Sequence, residues 1–394
     1  MNKKKIIDLY EKYVIPTYAK TPLVLARGKG TKVWDEKGKE YLDFFPGWAV
    51  SGIGHCHPRV VKAIQKQTAQ LIHVSNNYYH EGQGVLAEKI IEHSFAGKVF
   101  FCNSGAEANE AAIKLARKFG NPERNEVITF EGSFHGRTLA TVTATGQKKH
   151  QKGFDPLPAG FVHVPFNDFA ALEKAISPKT VAIMLEPIYG EGGIRVADKK
   201  YLLALRRLCT EKNILLIFDE IQTGMGRTGK MFCYQNFGIE PDMLTLAKSL
   251  GGGFPIGALV AKKEIADTLG AGSHGTTFGG SPLACAAAIA TFEAIEKEKL
   301  VKNAAVMGAY LLKQLNALKK KHSVIREVRG MALMTGIELA VEGKEIYEEC
   351  LKKGLLINCT QAVVLRIMPP LTVTKKEIDT ALKILDAAVT SCAK

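Results

Sequence analysis

The stretch Ile214-Leu215-Leu216-Ile217-Phe218-Asp219-Glu220-Ile221-Gln222, with the later Met243-Leu244-Thr245-Leu246-Ala247-Lys248, decides the fold class. Each opens on a short apolar run without polar alternation, the pattern of a strand buried on both faces, and each continues into charged residues. Similar runs lie upstream at Val99-Phe100-Phe101, Val127-Ile128-Thr129 and Val181-Ala182-Ile183-Met184-Leu185. Helical periodicity fills the intervals, at 58–72, 83–94, 104–119, 136–144, 168–177 and 198–212. Strands alternating with helices predict an α/β unit over 55–281, with a mainly parallel sheet covered by helices.

The texture changes on either side of this unit. Residues 22–45 carry short β-like runs broken by Gly28-Lys29-Gly30 and Glu36-Lys37-Gly38, which predicts a small antiparallel meander. After Pro282 the chain is helical to about 320, strand-like at 324–328, 332–339 and 363–367, and helical again from about 374. That order predicts a smaller α+β domain over 282–394, to which the N-terminal segment 1–54 contributes.

Composition narrows the function. The 394 residues are 46% hydrophobic and 23% charged, ordinary for a folded chain. The basic start Met1-Asn2-Lys3-Lys4-Lys5 runs into Asp8, Glu11 and Lys12, which interrupt the apolar stretch that export needs. The longest apolar run, around 284–292, is too short to span a bilayer, so no membrane partner is expected. Eight scattered cysteines without a C-x-x-C pair point to reduced thiols in the cytoplasm. The net charge of +14 suits anionic small molecules; the lysine run at 319–321 lacks interleaved aromatics, so nucleic acid is not expected.

Ligands of open α/β sheets collect at the carboxyl ends of the strands, and four such places carry chemistry. Ser104 and Glu107 in Asn103-Ser104-Gly105-Ala106-Glu107 form a capping box, and the same helix start suits a phosphate approached through Gly105. Asp219 could bind metal, act as a base or pair with a protonated ring nitrogen, and Gln222 could face the same ligand. Lys248, between an apolar strand and Gly251-Gly252-Gly253, is placed for desolvation toward the neutral amine that a Schiff base requires. In Phe134-His135-Gly136-Arg137-Thr138 the ring could stack on a planar cofactor and Arg137 could fork onto a carboxylate. The glycines match neither nucleotide-binding spacing. His55-Cys56-His57 cannot aim three adjacent ligands at one ion, so no metal is expected.

Together with Gly54-His55-Cys56-His57-Pro58, Glu186-Pro187, Gly190-Glu191-Gly192-Gly193, Asp219-Glu220-Ile221-Gln222-Thr223-Gly224, Ala247-Lys248 and Thr277-Phe278-Gly279-Gly280, these segments resemble the class III aminotransferases, in particular the acetylornithine and succinylornithine group. The resemblance implies the type I fold of pyridoxal-phosphate (PLP) transferases, with the cofactor in the large domain. It implies that Lys248 holds the cofactor covalently and shuttles the proton, that Asp219 keeps the pyridine nitrogen protonated, and that Ser104, Gly105 and Ala106 take the phosphate. Phe134 would stack on the ring and Gln222 would bond its phenolic oxygen. Thr277 would reach the phosphate of a neighbouring subunit, which implies a homodimer, with Thr276 near the substrate. Arg137 would bind a substrate carboxylate, Arg366 the α-carboxylate of glutamate or 2-oxoglutarate, and Glu186 would be the partner that gates Arg366.

The implied activity moves the ω-amino group of N2-acetylornithine to 2-oxoglutarate, in arginine biosynthesis. Other ω-aminotransferases, acting on succinyldiaminopimelate, ornithine or 4-aminobutyrate, and PLP aminomutases are the alternatives. The sequence departs from the family at Tyr189, where Gln is common, and at Trp48, where an aliphatic residue is. Bulky rings there could reshape the pocket.

Overall fold

Alternate residues of the apolar strands face two different cores. In the computed structural model, which describes residues 1–392, Leu215 and Ile217 join one cluster with Ile113 and Leu115 of the helix Gly105–Gly120. Leu216 and Phe218 join the other, with Leu202 and Leu205 of the helix Lys199–Glu211. Helices on both faces therefore explain why these strands carry no polar alternation.

The sheet has seven strands, in the order Lys98–Cys102, Gly257–Ala261, Met243–Leu246, Leu215–Asp219, Thr180–Leu185, Glu126–Phe130 and Phe161–Val164. All run parallel except Gly257–Ala261, which is antiparallel to both neighbours. The carboxyl ends of the six parallel strands thus open on one edge.

The N-terminal meander forms as expected, from Leu25–Lys29, Lys32–Asp35 and Glu40–Asp43. Its last strand pairs in parallel with Leu355–Leu356, so the two ends of the chain share one sheet. A second sheet, Ile325–Met331, Met334–Leu339, Val364–Ile367 and Asn358–Thr360, is wholly antiparallel. The apolar run at 284–292 lies in the helix Pro282–Lys297, which packs on the helices Pro58–Thr68 and Glu81–His93. Among the described residues no helix is long and apolar enough to cross a membrane.

Candidate active site

A cavity of about 390 Å³ opens where the parallel strands end. Its wall takes Ser104, Gly105 and Ala106 from the turn after Lys98–Cys102, Phe134 to Arg137 from the loop after Glu126–Phe130, and Glu186 from the end of Thr180–Leu185. Asp219, Gln222 and Lys248 complete it. Nine of the residues singled out from sequence therefore meet in one place.

At one end, Ser104 Oγ accepts from Glu107 N (3.2 Å) and caps the helix Gly105–Gly120. Glu107 Oε2 accepts from Asn103 N (2.6 Å), so the reciprocal half of the capping box reaches one residue further back than expected. The first helical bond comes from Ala108 N, leaving the N–H groups of Gly105 and Ala106 at the positive end of the helix dipole. Gly105 also has a packing reason: a Cβ there would fall 2.8 Å from Ile221 Cδ1.

Asp219 is 3% exposed. Its Oδ2 accepts from Asn109 Nδ2 (2.8 Å) and lies 2.8 Å from His135 Nδ1, while Oδ1 accepts from Ile221 N (3.1 Å). A carboxylate only accepts, so His135 Nδ1 carries the proton of that bond. Asn109 is itself fixed, receiving Thr245 Oγ1 (2.7 Å) and donating to the His135 carbonyl (2.7 Å). The carboxylate is thus locked in orientation at the cavity wall. Both supporting residues sit in motifs visible in the sequence, yet only burial and distance reveal what they hold.

Lys248 follows the strand Met243–Leu246 in a left-handed backbone conformation (φ 46°), uncommon for a residue with a side chain. Burial pushes its amine below the usual lysine value, against the opposing pull of Glu191, Asp219 and Glu186. Nearby, Phe134 presents its ring to the cavity with the Arg137 guanidinium 5.6 Å from the ring centre. The buried Gln222 amide donates to the Trp48 carbonyl (3.3 Å), and its oxygen has no protein partner. An anion-binding helix start, an aromatic wall, a fixed carboxylate, an unpartnered amide oxygen and a desolvated amine fit a planar, phosphorylated pyridine aldehyde such as PLP.

The expected gate needs a correction. Arg366 is fully buried, and its Nη1 lies 2.6 Å from Glu191 Oε1, not against Glu186. Asn358 Oδ1 accepts from its Nε (2.8 Å), and its guanidinium sits 4.5 Å from the Phe45 ring centre. Burial lowers the Arg366 pKa, and Glu191 opposes that shift. Glu186 instead accepts from Phe134 N (2.8 Å) and Gly190 N (3.1 Å), and burial pushes it up to about 7. It has two neutral donors and Glu191 has the guanidinium. The residue missed, Glu191, stood in the Gly190-Glu191-Gly192-Gly193 segment; being the one ionisable side chain among glycines was the available signal.

Thr276 and Thr277 lie outside this cavity and line a second one of about 810 Å³ with His73, Asn76 and Tyr79. Thr276 Oγ1 accepts from Asn103 Nδ2 (3.1 Å), its one link to the first site. Neither Tyr189 nor Trp48 is among the residues lining the cavity. The Tyr189 ring is buried and stacked on Phe166 at 4.0 Å, and the Trp48 ring is 46% exposed. His55 pairs with Asp43 (2.8 Å), and His57 caps the helix Pro58–Thr68, so each histidine has a structural partner.

The chain is similar throughout to proteins of known activity. A family model described as aminotransferase class-III matches residues 13–389. An acetylornithine aminotransferase of Methanocaldococcus jannaschii is 54% identical over 400 residues, covering 100% of both chains. Among solved structures, the ornithine aminotransferase of Toxoplasma gondii, described with partial occupancy of PLP at its active site, superposes with a TM-score of 0.96 at 34% identity, covering 100% of this chain and 95% of that one. The acetylornithine aminotransferase of Elizabethkingia anophelis gives 0.89 at 33% identity, covering 99% and 100%. With the lysine, the carboxylate and the helix start gathered on one strand edge, this chain belongs to the class III aminotransferases and is a PLP-dependent transaminase.

Proposed function

We propose that the enzyme transfers the ω-amino group of N2-acetylornithine to 2-oxoglutarate, forming N-acetylglutamate 5-semialdehyde and glutamate. The observation that carries this reading is the unequal state of two arginines. Arg137 lines the cavity and has no carboxylate within ion-pair distance among the described residues, whereas Arg366 is covered by Glu191. An ω-amino donor has no carboxylate beside the reacting carbon but has one at its far end. It therefore calls for a neutralised Arg366 and a free Arg137. The second substrate, 2-oxoglutarate, has a carboxylate beside its keto carbon and another at its far end, so Glu191 must leave Arg366 in that half of the cycle.

PLP, when bound, supplies an electron sink for charge developing at the amino-bearing carbon. In this reading Ser104, Gly105 and Ala106 would hold its phosphate, Phe134 would lie against its ring and Gln222 would bond its phenolic oxygen. Asp219 would hold the proton on the ring nitrogen, and Asn109 and His135 keep that carboxylate aimed. Lys248 would anchor the cofactor and, once released by substrate, its neutral amine would be the base that moves the proton of the amino-bearing carbon.

The same reading makes the enzyme a homodimer in which Thr277 binds the phosphate held by the second copy, with Thr276 close to the substrate. Its support is that Thr277 is exposed and apart from its own cavity, beside the exposed side chains of Tyr79 and Phe278. The domain division is a large unit at 55–281 and a smaller one from 282–394 with 1–54; the meander strand paired with Leu355–Leu356 supports it. Eight free cysteines support a reaction in the cytoplasm, as a step of arginine biosynthesis.

The test supplies the purified enzyme with 2-oxoglutarate and, in turn, N2-acetylornithine, ornithine, 4-aminobutyrate and succinyldiaminopimelate. Glutamate and semialdehyde in equal amounts, with the highest kcat/KM for N2-acetylornithine, is the expected outcome. A higher value for another donor moves the substrate assignment, and isomerised product without glutamate replaces the transaminase reading by a mutase.

A further inference from the structure

The turn that carries Glu191 is tied across the cleft by side chains that no step above uses. Thr360 Oγ1 (2.9 Å) and Gln361 Nε2 (2.8 Å) both donate to the Glu191 carbonyl oxygen. Arg329 donates through Nε (3.0 Å) and Nη2 (2.7 Å) to the Gly193 carbonyl oxygen. Its remaining nitrogen, Nη1, is taken by Glu327 (2.7 Å) and Glu338 (2.6 Å), so two acids of its own sheet fix the plane of the guanidinium.

The turn is closely packed. A Cβ at Gly190 would fall 1.8 Å from Gln222 Oε1, and one at Gly192 would fall 2.6 Å from the Gly132 carbonyl oxygen and 2.7 Å from Tyr189 Cδ2. The backbone on both sides of Glu191 is therefore in contact with fixed neighbours, while the Glu191 side chain is 26% exposed toward the cavity.

From this clamp we infer that Arg329, Thr360 and Gln361 are positioning residues: by holding the turn that carries Glu191 they set the choice between ω-amino and α-amino donors. The inference rests on the Glu191 gate proposed above. A tight ion pair needs its partners held to within about half an ångström, so loosening the turn lowers the population of the covered state. Arg366 is then free in the first half of the cycle, and glutamate competes with the ω-amino donor.

The experiment compares holoenzymes carrying R329K, T360V and E191Q. Each is mixed with N2-acetylornithine and, separately, with glutamate, and the rate of change of the cofactor's visible band is read. Lysine cannot span two acids and a carbonyl, so in R329K the ratio of the two second-order rate constants is expected to fall about tenfold, the worth of one charge-assisted bond. T360V, which removes one hydroxyl, is expected to lower the ratio by roughly threefold, the worth of a neutral bond. It keeps the test open if R329K does not fold. A purely structural role would change cofactor content or melting temperature and leave the ratio alone. If E191Q collapses the ratio while R329K and T360V keep that of the wild type, the clamp inference is overturned and the gate stands. An unchanged ratio in E191Q overturns both.

Discussion

Glu191 Oε1 and Arg366 Nη1 lie 2.6 Å apart, the arginine fully buried and the glutamate open on one side to the cavity. A buried guanidinium that loses its paired carboxylate is costly, so whatever displaces Glu191 must bring a carboxylate of its own. 2-Oxoglutarate does, and an ω-amino group does not.

Arg366→Gln is therefore expected to impair the second half of the cycle selectively. Loss of a charged bond of about 2 kcal/mol corresponds to a roughly 30-fold fall in kcat/KM for 2-oxoglutarate, with a much smaller effect on the ω-amino donor. Separate half-reaction rates check this; equal losses in both halves contradict it.

Asp219→Asn tests the electrostatic role of the locked carboxylate. Asparagine matches its shape but not its charge, so kcat is expected to drop roughly 100- to 1000-fold, the range for removing one preorganised electrostatic partner, with the cofactor still bound. A visible spectrum and a steady-state assay on the same sample separate lost chemistry from lost cofactor.

Ser104→Ala removes the cap of the helix Gly105–Gly120. Stability without cofactor is expected to fall by about 1 kcal/mol, the usual worth of such a cap. Because the same helix start is assigned to the phosphate, cofactor affinity should fall as well. A melt and a PLP titration report the two effects independently.

Burial pushes Glu220 up to about 8, although it accepts from Cys233 N (2.5 Å) and Tyr234 N (2.7 Å). Its folded-state value is raised, so between about 4.5 and about 8 the folded protein holds a proton that the unfolded chain has lost. The Glu220 contribution to stability therefore declines as pH rises through that window. Melting temperatures from pH 5 to 9 should fall less steeply in Glu220→Gln than in the wild type; parallel curves contradict the assignment.

Much of this site is legible in the sequence, because the strands that place it are buried on both faces and carry unbroken apolar runs. Asp219 ends one such run and Lys248 stands two residues past another, and both meet in the cavity. The less legible parts depend on distant partners. Gly257–Ala261 inserts antiparallel between Lys98–Cys102 and Met243–Leu246, a neighbourhood that no local pattern encodes. The helix expected at 136–144 begins only at Leu139, where Thr141 Oγ1 accepts from Thr138 N (3.0 Å) and Gly136 and Arg137 are left in the loop facing the cavity. Which glutamate covers Arg366 was undecidable for the same reason: Glu186 and Glu191 are five residues apart, and only the tertiary path of the turn separates their partners.

The most direct test is the visible spectrum of the purified enzyme, followed while N2-acetylornithine and then 2-oxoglutarate are added, with borohydride reduction of a parallel sample. The expected result is a cofactor band that N2-acetylornithine bleaches and 2-oxoglutarate restores, and a reduced cofactor recovered on the peptide that contains Lys248. An enzyme that shows no such band after incubation with PLP, or whose band neither substrate alters, contradicts it.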